Sequence, residues 1–220
     1  MQELKIVILD YGLGNLFSVQ HVCRHLGYDT LVSHDRKDLL NADAVILPGV
    51  GAFRDAVDSM HGRGLVAPLK DFISSGKPFM GVCLGMQLLF SESEEFGSSE
   101  GLNILEGSIK KFPSADDAGN KIRVPQIGWN RINETAEGPK WKDSPLHSIR
   151  EGSYMYFVHS YYAKPANESC ILSVTEYEGL NYCSSVKQDN VFATQFHPEK
   201  SAGHGIEIYR NWLEGIRITD

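Results

Sequence analysis

Basic residues are the minority in this sequence. Lys and Arg number 21 against 28 Asp and Glu, the net charge is −7, and the positive residues form no cluster. Without that electrostatic footprint, no nucleic-acid partner is expected. Long apolar runs are missing too: none approaches the ~20 residues that cross a bilayer, so no membrane association is expected. The stretch from Met1 to Asp10 runs straight into a strand-like segment. It lacks the basic segment, apolar stretch and small-residue cleavage site of a secretory leader, which implies a cytoplasmic location. Cysteine is scarce. Cys23, Cys83, Cys170 and Cys183 show no C-x-x-C or other ligand spacing and read as reduced thiols. No metal and no cofactor are expected. A dinucleotide fingerprint is incomplete as well, because after Gly12 and Gly14 its third glycine would fall on Phe17.

What is present is an ordinary globular composition, 42 % hydrophobic and 22 % charged over 220 residues. That suffices for one well-buried α/β domain, expected to span 1–220. Leu4–Leu9, Thr30–Ser33, Ala44–Leu47 and Pro78–Val82 read as strands. The first is a continuous apolar run of the kind buried on both faces of a parallel sheet. Helical spacing joins Leu16, Val19, Val22, Cys23 and Leu26 before the stop at Gly27, and recurs over Phe53–Met60, Leu65–Ser75 and Leu84–Phe90. His34–Asn41 reads as a polar connection. This alternation predicts a doubly wound, mostly parallel sheet flanked by helices. The second half differs. Ile104–Lys111, Ile122–Val124, Tyr154–His159, Ile171–Thr175, Tyr182–Val186 and Val191–Phe196 are short and β-rich, and predict an antiparallel or mixed extension of the same domain. Ser114–Asn120 and Asn133–Asp143 read as polar loops, and Gly205–Leu213 as a closing helix.

The sharpest local feature is Gly81–Val82–Cys83–Leu84–Gly85 between a strand and a helix. This is the nucleophile-elbow pattern with cysteine in place of serine. Flanking glycines relieve the crowding of a tight strand-to-helix turn, and the following helix aims free N–H groups at the sulfur. A buried structural cysteine is the plainer alternative; the paired glycines favour the nucleophile. A nucleophile needs a base and a group that orients the base. His197–Pro198–Glu199 supplies both, and in an extended segment a two-residue spacing puts His197 and Glu199 on one side. H-x-E also opens the zinc deaminase signature, but no cysteine follows Glu199. Acyl chemistry further requires donors for an oxyanion. Gly49, Val50 and Gly51, after a sheet strand, form a candidate donor loop with the amide of Leu84, although the same residues could make a plain turn.

Together the Pro48–Gly51 loop, the Gly81–Gln87 elbow and His197–Glu199 resemble the class I (triad) glutamine amidotransferases in motif, order and spacing. Within that class the whole chain is similar to the glutaminase subunits of imidazole glycerol phosphate synthases. Asp10–Asn15, Gly85–Phe90, Val124–Asn130, Tyr156–Tyr161 and Gln195–Lys200 carry that similarity, with Gln126 where the pattern usually has histidine. The resemblance implies that Cys83 attacks the side-chain amide of L-glutamine, His197 protonates the departing ammonia, and water hydrolyses the thioester. It implies that Gly51, Leu84, Gln87, Ser160 and Tyr161 hold the substrate. Ammonia would pass to a (β/α)8-barrel cyclase docked near Asn15, Trp129, Tyr156 and Lys200, for histidine biosynthesis. From residue type alone those four are equally core aromatics or surface polar groups. Alternatives in function are a paralogue serving a surface-polysaccharide sugar, a cysteine peptidase or γ-glutamyl hydrolase, and a non-catalytic binding module. The intact Cys83, His197 and Glu199 speak against the last, and Gln87 and the Trp129 segment against the hydrolases.

Overall fold

The computed structural model describes residues 4–115 and 119–216. The loop expected over Ser114–Asn120 therefore lies partly outside the described residues, as do both ends of the expected 1–220 domain. In chain order the first half runs β1 (Ile6–Leu9), α1 (Leu16–His25), β2 (Thr30–Ser33), α2 (Arg36–Leu40), β3 (Ala44–Gly49), α3 (Phe53–Gly62), α4 (Val66–Ser74), β4 (Phe79–Cys83) and α5 (Leu84–Gln87). The second half runs β5 (Phe90–Ser93), β6 (Ser99–Glu100), β7 (Leu105–Lys111), β8 (Gln126–Arg131), β9 (Asn133–Glu134), β10 (Tyr154–His159), β11 (Tyr161–Pro165), β12 (Ile171–Tyr177), β13 (Leu180–Gln188), β14 (Val191–Thr194) and α6 (Ala202–Glu214).

The main sheet has the order β2-β1-β3-β4-β14-β13-β11-β7-β5-β6. Its first five strands are parallel, as expected for the doubly wound half. From β14 onward the pairing turns antiparallel, apart from a parallel β5–β7 pair. The fold is thus the α/β arrangement with a mixed extension that the sequence predicts. Alternation along β1 explains the apolar runs. Val7 and Leu9 enter a core shared with α3 and α4, while Ile6 and Ile8 enter a second core with α1 and α6. β3 divides in the same way, Val45 and Leu47 against Ala44 and Ile46. A strand covered on both faces has no polar side to show.

Several expectations need correction. The helix expected over Leu84–Phe90 stops at Gln87, and Phe90 begins β5. Leu88 and Leu89 instead give their carbonyls to the amides of Leu102, Ile104 and Leu105, so tertiary partners take the bonds a longer helix would use. No strand covers Ile122–Val124. Ile122 is a buried plug bonded to Ser114, and the strand of this region is β8, which begins beyond the donor-less Pro125 and pairs with β10 in a separate two-stranded ribbon. The polar connection over His34–Asn41 contains α2, capped by Asp35 through a 2.6 Å bond from Lys37 N–H. The strand expected over Val191–Phe196 ends at Thr194, and β5, β6, β9 and β11 have no counterpart among the expected strands. Asn133–Asp143 is not simply a loop, since it holds β9 and a 3-10 turn at Trp141–Asp143.

Candidate active site

In an open α/β sheet a crevice forms beyond the carboxyl ends of the strands where the strand order reverses. Here that point lies between β1 and β3, and the chain brings the Pro48–Gly51 loop, the Cys83 elbow and the Gly12–Gly14 loop around it. Cys83 ends β4 with φ 54°, a left-handed conformation that non-glycine residues rarely adopt. Its surroundings hold it there. A Cβ on Gly85 would overlap the Leu47 carbonyl oxygen, and one on Gly81 would lie 3.0 Å from the Gly85 carbonyl oxygen. A Cβ on Gly49 would overlap the Tyr11 hydroxyl and reach within 2.8 Å of the Leu84 Cβ. The glycines therefore let β3 press against the elbow. Leu84 opens α5, so its N–H belongs to the first turn, which has no acceptor within the helix.

His197 and Glu199 do meet, but not by extended spacing. His197 precedes a 3-10 turn over Pro198–Lys200, and this turn brings Glu199 Oε1 to 2.8 Å from His197 Nδ1. Both side chains are 1 % exposed. His197 N–H donates to the Tyr156 carbonyl at 2.9 Å, and the Ser201 hydroxyl donates to the His197 carbonyl at 2.7 Å, so the turn is tied to β10 and α6. With Nδ1 on the carboxylate, Nε2 is free to face the Cys83 sulfur. Burial disfavours the charged imidazole, yet the sulfur and Glu199 outweigh it and push its pKa up to about 10. The arrangement thus favours an imidazolium beside the sulfur, ready to give up a proton.

A cavity of about 450 Å³ opens over the sulfur. Of the expected residues Val50, Gly51, Cys83, Leu84, Gln87, Ser160, Tyr161 and Lys200 line it. Gly49, His197 and Glu199 are not among the residues that line it. Gln87 is largely committed to the scaffold. Both its N–H bonds go to neighbours, the Tyr161 carbonyl and Gln195 Oε1, each at 2.9 Å, which leaves its oxygen for a ligand. Of the four expected partner contacts only Lys200 touches the cavity. Its ammonium lies 5.8 Å from the centroid of the Tyr156 ring, which meets Trp129 edge-on at 6.1 Å. Trp129 is 52 % exposed. Asn15 sits at the N-cap of α1 and makes no side-chain cap bond there.

Two residues of the site, one on the wall and one beside the sulfur, are not among the expected site residues. Glu95 lines the cavity and accepts a 2.6 Å bond from Phe53 N–H. Burial raises its carboxyl pKa, so a cation placed beside it would recover lost solvation. Its acidic neighbours suggest only a solvated loop, and no local pattern marks it. Gln195 points its amide nitrogen at the Cys83 sulfur from 3.6 Å. It stands two residues before His197, which was the one available signal. No group of His, Cys, Asp and Glu among the described residues could hold a metal ion.

A cysteine on a strained elbow, a buried histidine–glutamate pair acting on its sulfur, and a glycine-containing loop and a carboxylate lining the cavity are groups that suit acyl transfer from a small amino-acid amide. A family model described as glutamine amidotransferase class-I matches residues 7–215. The chain is 43 % identical over 208 residues to the imidazole glycerol phosphate synthase subunit HisH of Geobacter metallireducens, covering 94 % of this chain and 96 % of that protein. It is 45 % identical over 208 residues to the protein of that name from Syntrophotalea carbinolica, covering 94 % and 98 %. Among solved structures it is similar in fold to a glutamine amidotransferase from Thermotoga maritima, with TM-score 0.63, 14 % identity and coverage of 100 % of this chain and 87 % of that one.

Proposed function

The chain belongs to the class-I glutamine amidotransferase family, and from that premise we propose that it is the glutaminase subunit of an imidazole glycerol phosphate synthase. The observation that carries the chemistry is the left-handed Cys83 facing the buried His197–Glu199 pair. On this reading the whole chain, 1–220, is one glutaminase domain, which the continuous sheet supports.

Glutamine enters the cavity with its side-chain amide at the sulfur. Glu95 takes its α-ammonium group, the backbone of Ser160–Tyr161 its carboxylate, and the Gln87 oxygen a remaining donor. The thiolate of Cys83 adds to the amide carbon, and backbone N–H groups of the Gly49–Gly51 loop and Leu84 stabilise the oxyanion, worth roughly 10²–10³ in rate for one donor. His197 protonates the nitrogen as the C–N bond breaks, releasing ammonia and leaving a glutamyl thioester. Water, deprotonated by His197, then adds to the thioester; the C–S bond breaks and glutamate leaves. Glu199 holds the imidazole in the required orientation and supports its charge in both halves.

Ammonia passes to a (β/α)8-barrel cyclase bound over Asn15, Trp129, Tyr156 and Lys200, where imidazole glycerol phosphate and AICAR are formed in histidine biosynthesis. The exposed Trp129 and its contact with Tyr156 support that surface. A cytoplasmic location is supported by four free, buried cysteines. Among the described residues, no helix is long and apolar enough to cross a membrane.

Glutamine hydrolysis measured for the chain alone, then with the cyclase and its ribonucleotide substrate, tests this reading. Strong stimulation that disappears in Cys83→Ala is expected. Cys83-dependent hydrolysis indifferent to the cyclase would remove the histidine pathway, and no hydrolysis under any condition would remove the glutaminase.

A further inference from the structure

The carbonyl of Tyr161, one of the residues that line the cavity, receives two side chains. Gln87 Nε2 donates to it at 2.9 Å, and His159 Nδ1 lies 2.8 Å away. A carbonyl only accepts, so in this contact Nδ1 carries the proton. Nε2 of the same ring faces the Tyr182 hydroxyl at 3.2 Å, and that hydroxyl lies 2.9 Å from the Gln126 side-chain amide, at Oε1. Phe112, Phe157 and Tyr182 surround the imidazole, with centroids 5.2, 5.7 and 5.4 Å from its own. Burial pulls the pKa of His159 down to about 4, against the opposing Tyr161 bond, so the ring is neutral.

These facts set the direction of every bond. A neutral ring protonated at Nδ1 offers only a lone pair at Nε2. Tyr182 has one proton, and Nε2 requires it, so Tyr182 has none left for Gln126. Residue 126 must therefore donate. It carries an amide nitrogen for this, and that nitrogen is buried with no partner among the described residues. Oxygen and nitrogen of a side-chain amide have the same shape, and exchanging them turns Nε2–H onto Tyr182. The oxygen then occupies the unpartnered position, where a carbonyl is tolerated more readily than a stranded N–H. Donation now runs unbroken from Gln126 through Tyr182 and His159 to the Tyr161 carbonyl. Thr175 lies opposite Tyr182 in the β12–β13 register and supplies no competing demand for the hydroxyl proton, since its own hydroxyl can donate.

We propose that Gln126 and Tyr182 are positioning residues for glutamine: donating in series, they hold His159 in the Nδ1–H tautomer, and His159 with Gln87 pins the Ser160–Tyr161 backbone against which the substrate binds. The proposal rests on the glutaminase reading. In an apolar surround such a series is stronger than its separate bonds, and breaking it leaves buried groups unpaired. Because it acts on the substrate cradle, its loss falls on KM before kcat.

The test uses the full chain and two readouts, glutamine kinetics and the 15N shifts of the His159 ring. Wild type is expected to show Nδ1–H and an unprotonated Nε2. In Tyr182→Phe and Gln126→Leu the single tautomer gives way to a mixture and KM rises about five- to ten-fold with kcat nearly unchanged. Gln126→His, whose ring N–H can donate to Tyr182, restores both. An Nε2–H tautomer in wild type overturns the proposal, as does an unchanged KM in Gln126→Leu while wild type hydrolyses glutamine. Should wild type fail to hydrolyse glutamine, the glutaminase reading falls separately, and the tautomer still decides the direction of the series. If Tyr182→Phe does not fold, Gln126→Leu against Gln126→His carries the comparison.

Discussion

Residue by residue, the site is a set of opposed forces, and His197 shows them most openly. Burial works against its positive charge, while Cys83 is the largest influence in its favour and Glu199 adds to it. The folded pKa lies above the ordinary ~6.5. Its contribution to stability is therefore fully present below about pH 6.5 and is lost as pH rises through the folded pKa. Cys83→Ala removes the sulfur and leaves burial less opposed. The pKa of His197, followed by NMR of its ring protons, is expected to fall in that variant, and the alkaline loss of stability to shrink with it. An unchanged titration would mean that the sulfur is not its partner. His159 runs the other way. Held neutral down to a pKa of about 4, it binds fewer protons folded than unfolded between that value and the ordinary one, so its share of stability declines as pH falls through this window.

Among the elements, the joint between α6 and the His197–Glu199 turn is the most exacting. Gly205 lies in the first turns of α6, where a Cβ would overlap the Pro198 carbonyl oxygen. Pro198 is the residue between the two paired side chains, so the helix cannot sit at its present distance with any side chain at 205. Gly205→Ala is expected to cost about 2–4 kcal/mol in urea unfolding and to lower kcat, because the strain falls on the turn that aims the imidazole. Gly203→Ala is the control. Nothing lies within 4 Å of its Cβ, and alanine is the better helix former by roughly 1 kcal/mol. Equal stability and equal activity in the two variants would show that the close approach is dispensable. The elbow depends on the same kind of contact, Gly85 against the Leu47 carbonyl oxygen.

For the molecule as a whole, the β8–β10 ribbon stands apart from the main sheet and joins an apolar outer surface to the site. Ile127, Trp129 and Tyr154 are exposed on it, Trp129 is in register with Tyr156, and the Tyr156 carbonyl accepts the His197 N–H. A protein seated on that surface would press on a strand bonded directly to His197. On the proposed docking of the cyclase at this surface, Trp129→Ala is expected to leave hydrolysis by the isolated chain and its Tm nearly unchanged, while reducing stimulation by the cyclase by about ten-fold or more, as loss of an aromatic anchor does at an interface. Full stimulation in the variant would move the docking surface elsewhere.

Local sequence determined a good part of this protein. The apolar run Leu4–Leu9 reads as a strand covered on both faces and Ala44–Leu47 as a further strand, and the glycines at 81 and 85 marked a tight turn. These features are local, so a local reading finds them. Tertiary structure decided whatever depends on a distant partner. α5 ends early because Leu88 and Leu89 bond to residues beyond position 100. Glu95 reaches the cavity because Phe53 N–H, 42 residues away, holds it. Even the meeting of His197 with Glu199, expected from spacing, comes from a 3-10 turn tied to β10 and α6. Gln126 shows the division best: its type was visible, but its need to donate arises only where Tyr182 and His159, from two other strands, converge on it. A side chain's own chemistry is written in the sequence, whereas the proton it must give or take is set by the neighbours that folding supplies.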